Sequence, residues 1–113
     1  MIVVTVSQIA GKRVKRTLGL VRGNTVRASH AGKDLLAAFR NLVGGEVHEY
    51  TKLMAESREH ALDRMVEEAR SLGADGVIGL RVTTAEIGSG LAEIMVYGTA
   101  VVLEDAPSPA GEE

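Results

Sequence analysis

A chain of 113 residues with no cysteine and only three aromatic side chains, Phe39, Tyr50 and Tyr97, has room for one domain and not two. It excludes disulfides, thiolate metal sites and cysteine nucleophiles, and it fits a reducing cytoplasm. With 45% hydrophobic residues, its core must be built from Val, Ile, Leu, Met and Ala. The net charge of −2 hides an asymmetry: residues 1–33 carry seven basic groups and no acid, residues 34–113 six basic groups and fifteen acids. That pattern marks either an anion-binding face or halves that attract each other or a neighbouring subunit. The balance is not basic overall, and no aromatic platform or nucleic-acid motif accompanies it, so no nucleic-acid partner is expected.

In chain order, residues 2–6 form a short apolar run, read as a strand. The opening MIVVTVSQIAGKRVKR carries its charges after the apolar run, unlike a signal peptide. No run approaches the ~20 apolar residues of a membrane helix, so no membrane partner is expected and the location is read as cytoplasmic. A glycine turn at 8–12 precedes two strand segments, 14–22 and 25–28, with a bend or bulge expected at Gly23-Asn24. Ser29 is placed to cap a helix over 33–43, where Leu35, Leu36, Phe39, Leu42 and Val43 recur at helical spacing. Gly44-Gly45 ends it.

A long helix follows over about 46–72. Tyr50, Met54, Ser57, Ala61, Met65, Ala69 and Leu72 make one apolar or small stripe, widened by Leu53, Leu62 and Val66. At ~1.5 Å per residue it is near 40 Å long, more than a compact domain of this size offers it. Gly73 is a good residue to end it, and GADG (73–76) turns the chain into a strand over 77–87. GSG (88–90) is a hairpin signal before the last strand, 91–104. The domain therefore spans 1–104, and the tail 105–113 reads as disordered.

The last strand is apolar on both faces. Ala92, Ile94, Val96, Gly98, Ala100 and Val102 line one; Met95, Tyr97, Thr99, Val101 and Leu103 line the other. A strand with one wet face alternates apolar with polar, so both faces are expected to be covered. Helices can cover one, and a neighbouring copy is the simplest cover for the other.

With its elements in this order the chain resembles the YbjQ-like family of small bacterial and archaeal proteins. The resemblance runs from about Ile2 to Leu103. It rests on FRNLVGGEVHEY (39–50), MAESREHALDRMVEEARSLGADGVIGL (54–80) and VYGTAVVL (96–103). It implies an α+β fold with an antiparallel sheet and two helices on one face, in a dodecin-like arrangement assembled as a homopentameric ring. The family carries the label "putative heavy-metal-binding" and no established reaction, and no ligand set comes with it. His30 stands where some relatives have Asn.

Histidine with carboxylate is the metal chemistry open to this chain, which would suit a divalent transition-metal ion. The first candidate is the corner after the double glycine, Glu46, His48 and Glu49, where a ring could gather several copies. Alternatively these residues cap a helix, with a glutamate favourably placed at its N-terminus. His30 lies four residues before Asp34, a metal pair, an acid–base pair or a capping network. His60 lies four residues after Glu56, a shared ion or a solvated helix face. Arg40 and Arg58 flank the corner as an anion clamp or as ion-pair partners. Nucleotide fingerprints and nucleophile elbows are absent from the sequence. The expectation is a non-enzymatic ring that binds or senses a small ligand. The alternatives are a partner-recruiting ring without a ligand, or an enzyme with its site between subunits.

Overall fold

The computed structural model describes residues 1–27, 47–88 and 91–107. Within them the elements are β1 (Ile2–Val3), β2 (Lys12–Arg27), α1 (Val47–Ser71), β3 (Gly76–Gly88) and β4 (Leu91–Asp105). The sheet order is β1-β3-β4-β2. β4 pairs antiparallel with both β2 and β3, but β1 runs parallel to β3. The sheet is therefore mixed, not antiparallel throughout as expected. The cause is connectivity. β3 and β4 are separated by two residues, with Gly88 paired to Leu91, which forces them antiparallel. β1 reaches β3 only after the chain has passed through β2 and α1, the long crossover that parallel neighbours need. Ile2 N–H donates to the Asp75 carbonyl (3.1 Å) and Val4 N–H to the Val77 carbonyl (2.9 Å).

The bend expected at Gly23-Asn24 does not exist. β2 is one strand of 16 residues, about 50 Å long at the usual rise. Its register shifts fall earlier, between Val14 and Arg16 and between Thr17 and Gly19. Gly23 has a different reason to be glycine. A Cβ there would sit 2.0 Å from the Ala61 carbonyl oxygen and 2.6 Å from the Met65 nitrogen. The strand passes so close under α1 that no side chain fits between them.

The small residues of α1 permit that approach. Ser57, Ala61, Met65 and Ala69, four apart, are all 0% exposed. Ala61, Met65 and Ala69 pack with Val21 of β2, Val77 of β3, and Ile94, Val96 and Ala100 of β4. Each large side chain buried there contributes roughly 1.5–3 kcal/mol. The Thr25 hydroxyl donates to the Ser57 carbonyl (3.0 Å). Arg64 Nη1 donates to the Asn24 carbonyl (2.5 Å), and Glu68 Oε1 accepts from Arg22 N–H (3.1 Å). These last two bonds occupy backbone groups on the outer edge of β2, which would otherwise offer themselves to another strand.

α1 stops within a residue of its expected end. Ala74 N–H donates to the Ala69 carbonyl (3.0 Å) and Gly73 N–H to the Arg70 carbonyl (3.0 Å). With Gly73 at φ 85°, this is the glycine-ended helix terminus that the sequence suggests. Leu72, expected in the buried stripe, lies in the turn and is 46% exposed. The helix expected over 33–43 and the tail 108–113 lie outside the described residues. The last strand runs one residue past the expected boundary, to Asp105.

Candidate functional site

The proposed corner is only partly described. His48 and Glu49 belong to the first turn of α1; Glu46 and His30 lie outside the described residues, as do Asp34 and Arg40. His60 is described and sits on the exposed side of α1, with Glu56 one turn before it. Its neighbour Arg64 is turned toward the Asn24 carbonyl. Among the described residues, no three His, Asp or Glu side chains come together as metal ligands. Arg58 is exposed and makes no ion pair among the described residues.

The basic N-terminal segment resolves in part. Lys12 Nζ meets Asp105 Oδ1 at 2.6 Å, and Arg13 Nε meets Glu104 Oε2. These are cross-strand partners in the β2/β4 register, so here the basic and acidic halves attract each other, one of the two alternatives read from the charge asymmetry. The hydrogen bond and charge of Lys12 hold the Asp105 carboxyl below its ordinary value, and Asp105 raises the Lys12 ammonium. Both groups are solvated, so the pair contributes little to stability.

An open cleft of about 470 Å³ lies beside this end of the sheet, lined by Ile9, Val14, Ile78 and Leu103, with Ser7, Gln8, Lys12 and Arg13. Its two cations are the ones already held by carboxylates. It has the volume of a small-molecule site, but its lining holds no histidine or carboxylate.

The sheet face away from α1 holds an arrangement that composition and periodicity do not reveal. Arg22 of β2 and Arg81 of β3 both take Tyr97 of β4 as their cross-strand partner. Val21, Gly23 and Val96 point at α1, so by alternation Arg22, Tyr97 and Arg81 form one rung on the opposite face. Both arginines are exposed and Tyr97 is half-buried. Arg81 Nη1 donates to two carbonyls, those of Thr5 (2.9 Å) and Leu80 (2.7 Å). Among the described residues, neither arginine is paired with an acid. The same face carries Leu20 and Val26, 62% and 53% exposed. Finding this rung requires the register of three strands, and the two arginines are 59 positions apart in the chain.

No helix among the described residues is long and apolar enough to cross a membrane.

Known proteins place this architecture. A crystal structure of a DUF74-family protein of unknown function from Pediococcus pentosaceus is similar, with a TM-score of 0.63 over 92% of this chain and 98% of that one. At 18% identity that likeness speaks for the fold alone. Sequence relatives are much nearer. A UPF0145 protein of Thermus thermophilus is 56% identical over 94% of this chain and 93% of its own length. One from Halorubrum lacusprofundi is 60% identical over 84% and 91%, and one from Clostridioides difficile 50% over 93% and 94%. The profile of the YbjQ_1 family, described as "Putative heavy-metal-binding", matches residues 1–104, which span all five elements but the last residue of β4. The chain thus belongs to the YbjQ (UPF0145) family.

Proposed function

We propose that the chain acts as a cytoplasmic ring of identical subunits, a homopentamer, that binds or senses a metal ion or small ligand and catalyses no reaction. The observation that carries this reading is β4. Its Ile94, Val96 and Ala100 are sealed under α1, while Met95, Tyr97 and Thr99 on the other face are only half-buried and flanked by exposed Leu20 and Val26. A sheet with this much apolar surface on its uncovered side favours a further protein layer.

The donor set narrows the metal. Without cysteine, the chain does not suit thiophilic ions; histidine and carboxylate suit zinc, copper(II) or nickel. Glu46, His48 and Glu49 would hold the ion, together with the same residues of neighbouring copies.

Native mass spectrometry of the protein, purified without chelator and titrated with zinc, copper and nickel, tests this. The expected result is a pentamer that gains stoichiometric metal mass, lost in His48→Ala. A pentamer that ignores all three metals would overturn the metal site and favour a partner-recruiting ring. A monomer would overturn the ring.

A further inference from the structure

We infer that the Arg22–Tyr97–Arg81 rung is a subunit contact, and that its occupant is the acidic outer face of α1 from a second copy of this chain. The inference rests on the ring reading and specifies which surfaces meet.

The first observation is a charge left uncompensated. At the end of the same sheet two cations of β2 face acids, Lys12 on Asp105 and Arg13 on Glu104, while Lys15 and Arg16 have no acid partner among the described residues. In the middle of the sheet Arg22 and Arg81 flank Tyr97 instead, their strands about 10 Å apart. The carboxylate on this face beyond them, Glu93, is four positions along β4 from Tyr97, about 13 Å away, and already accepts a hydrogen bond from Asn24 Nδ2 (3.1 Å). Arg81 is held in place by two neutral carbonyls, which fix its guanidinium and leave its charge in place.

The second observation is the shape of the possible contacts. Packing this face against its own copy about a two-fold axis through the rung would set arginine against arginine, a like-charge contact that opposes association. The face therefore calls for a different surface, and one that is acidic. The chain offers one. Glu56, Glu59, Asp63 and Glu67 follow one another at three- and four-residue steps on α1, between two cations of the same side, Lys52 and Arg70. They are all exposed, on the side opposite Ser57, Ala61 and Met65, and among the described residues none is in an ion pair. Seating α1 of one copy on the open sheet of the next covers Leu20 and Val26 and supplies carboxylates to both arginines. Such a contact joins two different surfaces, so it repeats head to tail and closes as a ring if the rotation allows.

Mass measurement of charge reversals tests this. Arg22→Glu and, separately, the pair Glu59→Arg with Asp63→Arg each place like charges across the contact. Both should raise the concentration at which the oligomer dissociates by at least about tenfold, and all three reversals together should restore it toward the parent. All these positions are exposed, and circular dichroism of each variant reports whether it still folds. An oligomer of parent mass and parent dissociation range in either reversal would overturn the contact while leaving the ring intact. A parent that is monomeric would overturn the ring itself.

Discussion

Between Val21 and Thr25, β2 runs beneath α1 with Val21 0% exposed, the Thr25 hydroxyl bonded inside the fold and Gly23 pressed against helix backbone. Between Lys12 and Arg16 the same strand is exposed throughout, carries a register shift, and is tied to β4 by two ion pairs in solvent. Both stretches pair with β4, on either side of the second register shift, so strand hydrogen bonds are common to them. What separates them is the helix. One stretch is fixed by close packing, which leaves no tolerance for added atoms. The other is fixed by charges that water screens and that side-chain motion loosens.

Gly23→Val attacks the first stretch hardest. Its new atoms would meet backbone of α1 that cannot swing aside, so the helix must lift. A loss of about 3 kcal/mol or more is expected, read as a lower midpoint of chemical denaturation. A midpoint equal to the parent's would mean that α1 does not cross β2 there. Thr25→Val keeps the shape of the side chain and removes its donor to the Ser57 carbonyl. The expected cost is about 1 kcal/mol by the same measurement, and Thr25→Ser should keep most of it.

Asp105→Asn probes the second stretch and should have the smallest effect. Because Lys12 lowers the Asp105 pKa on folding, the pair's contribution is present above the ordinary carboxyl value of 3.8. It is lost as pH falls through the lower folded value. On the alkaline side, the raised Lys12 keeps its share below 10.5 and loses it as pH rises through its own folded value. Parent and Asp105→Asn should therefore differ slightly at pH 7 and converge in strong acid or at high salt. A gap that survives both conditions would show that Asp105 acts through something other than its charge.

Much of this architecture was legible in the residues. The stripe through Met54, Ser57, Ala61, Met65 and Ala69 recurs at helical spacing, and it placed the helix and its buried face. The two apolar faces of β4 marked it as a strand with little solvent on either side, and the structure places it inside the sheet, between β3 and β2. Gly73 marked the helix end because a residue after the last turn needs a left-handed backbone. Gly23 misled, because a glycine in a strand signals a bend or a close approach equally well, and sequence does not say which. β1 misled for another reason: two paired residues carry too little pattern to fix a direction. The candidate site was less legible still. His60 and Glu56 have ligand spacing on an exposed face that brings no third ligand to them among the described residues, and the Arg22–Tyr97–Arg81 rung exists only once three strands are in register.

The β2/β4 ladder also has a kinetic consequence. It joins Lys12 to Asp105 across 93 positions of chain and Asn24 to Glu93 across 69. Almost none of its contacts can form until nearly the whole chain is present and has closed on itself. Proteins dominated by such distant pairings fold in roughly milliseconds to seconds, not microseconds. During synthesis β2 is made early and waits, sixteen residues long, for the last strand to arrive. Its Lys12, Arg13, Lys15 and Arg16 then have a use before folding as well as after it: four like charges at the start of a waiting strand discourage it from pairing with the wrong chain.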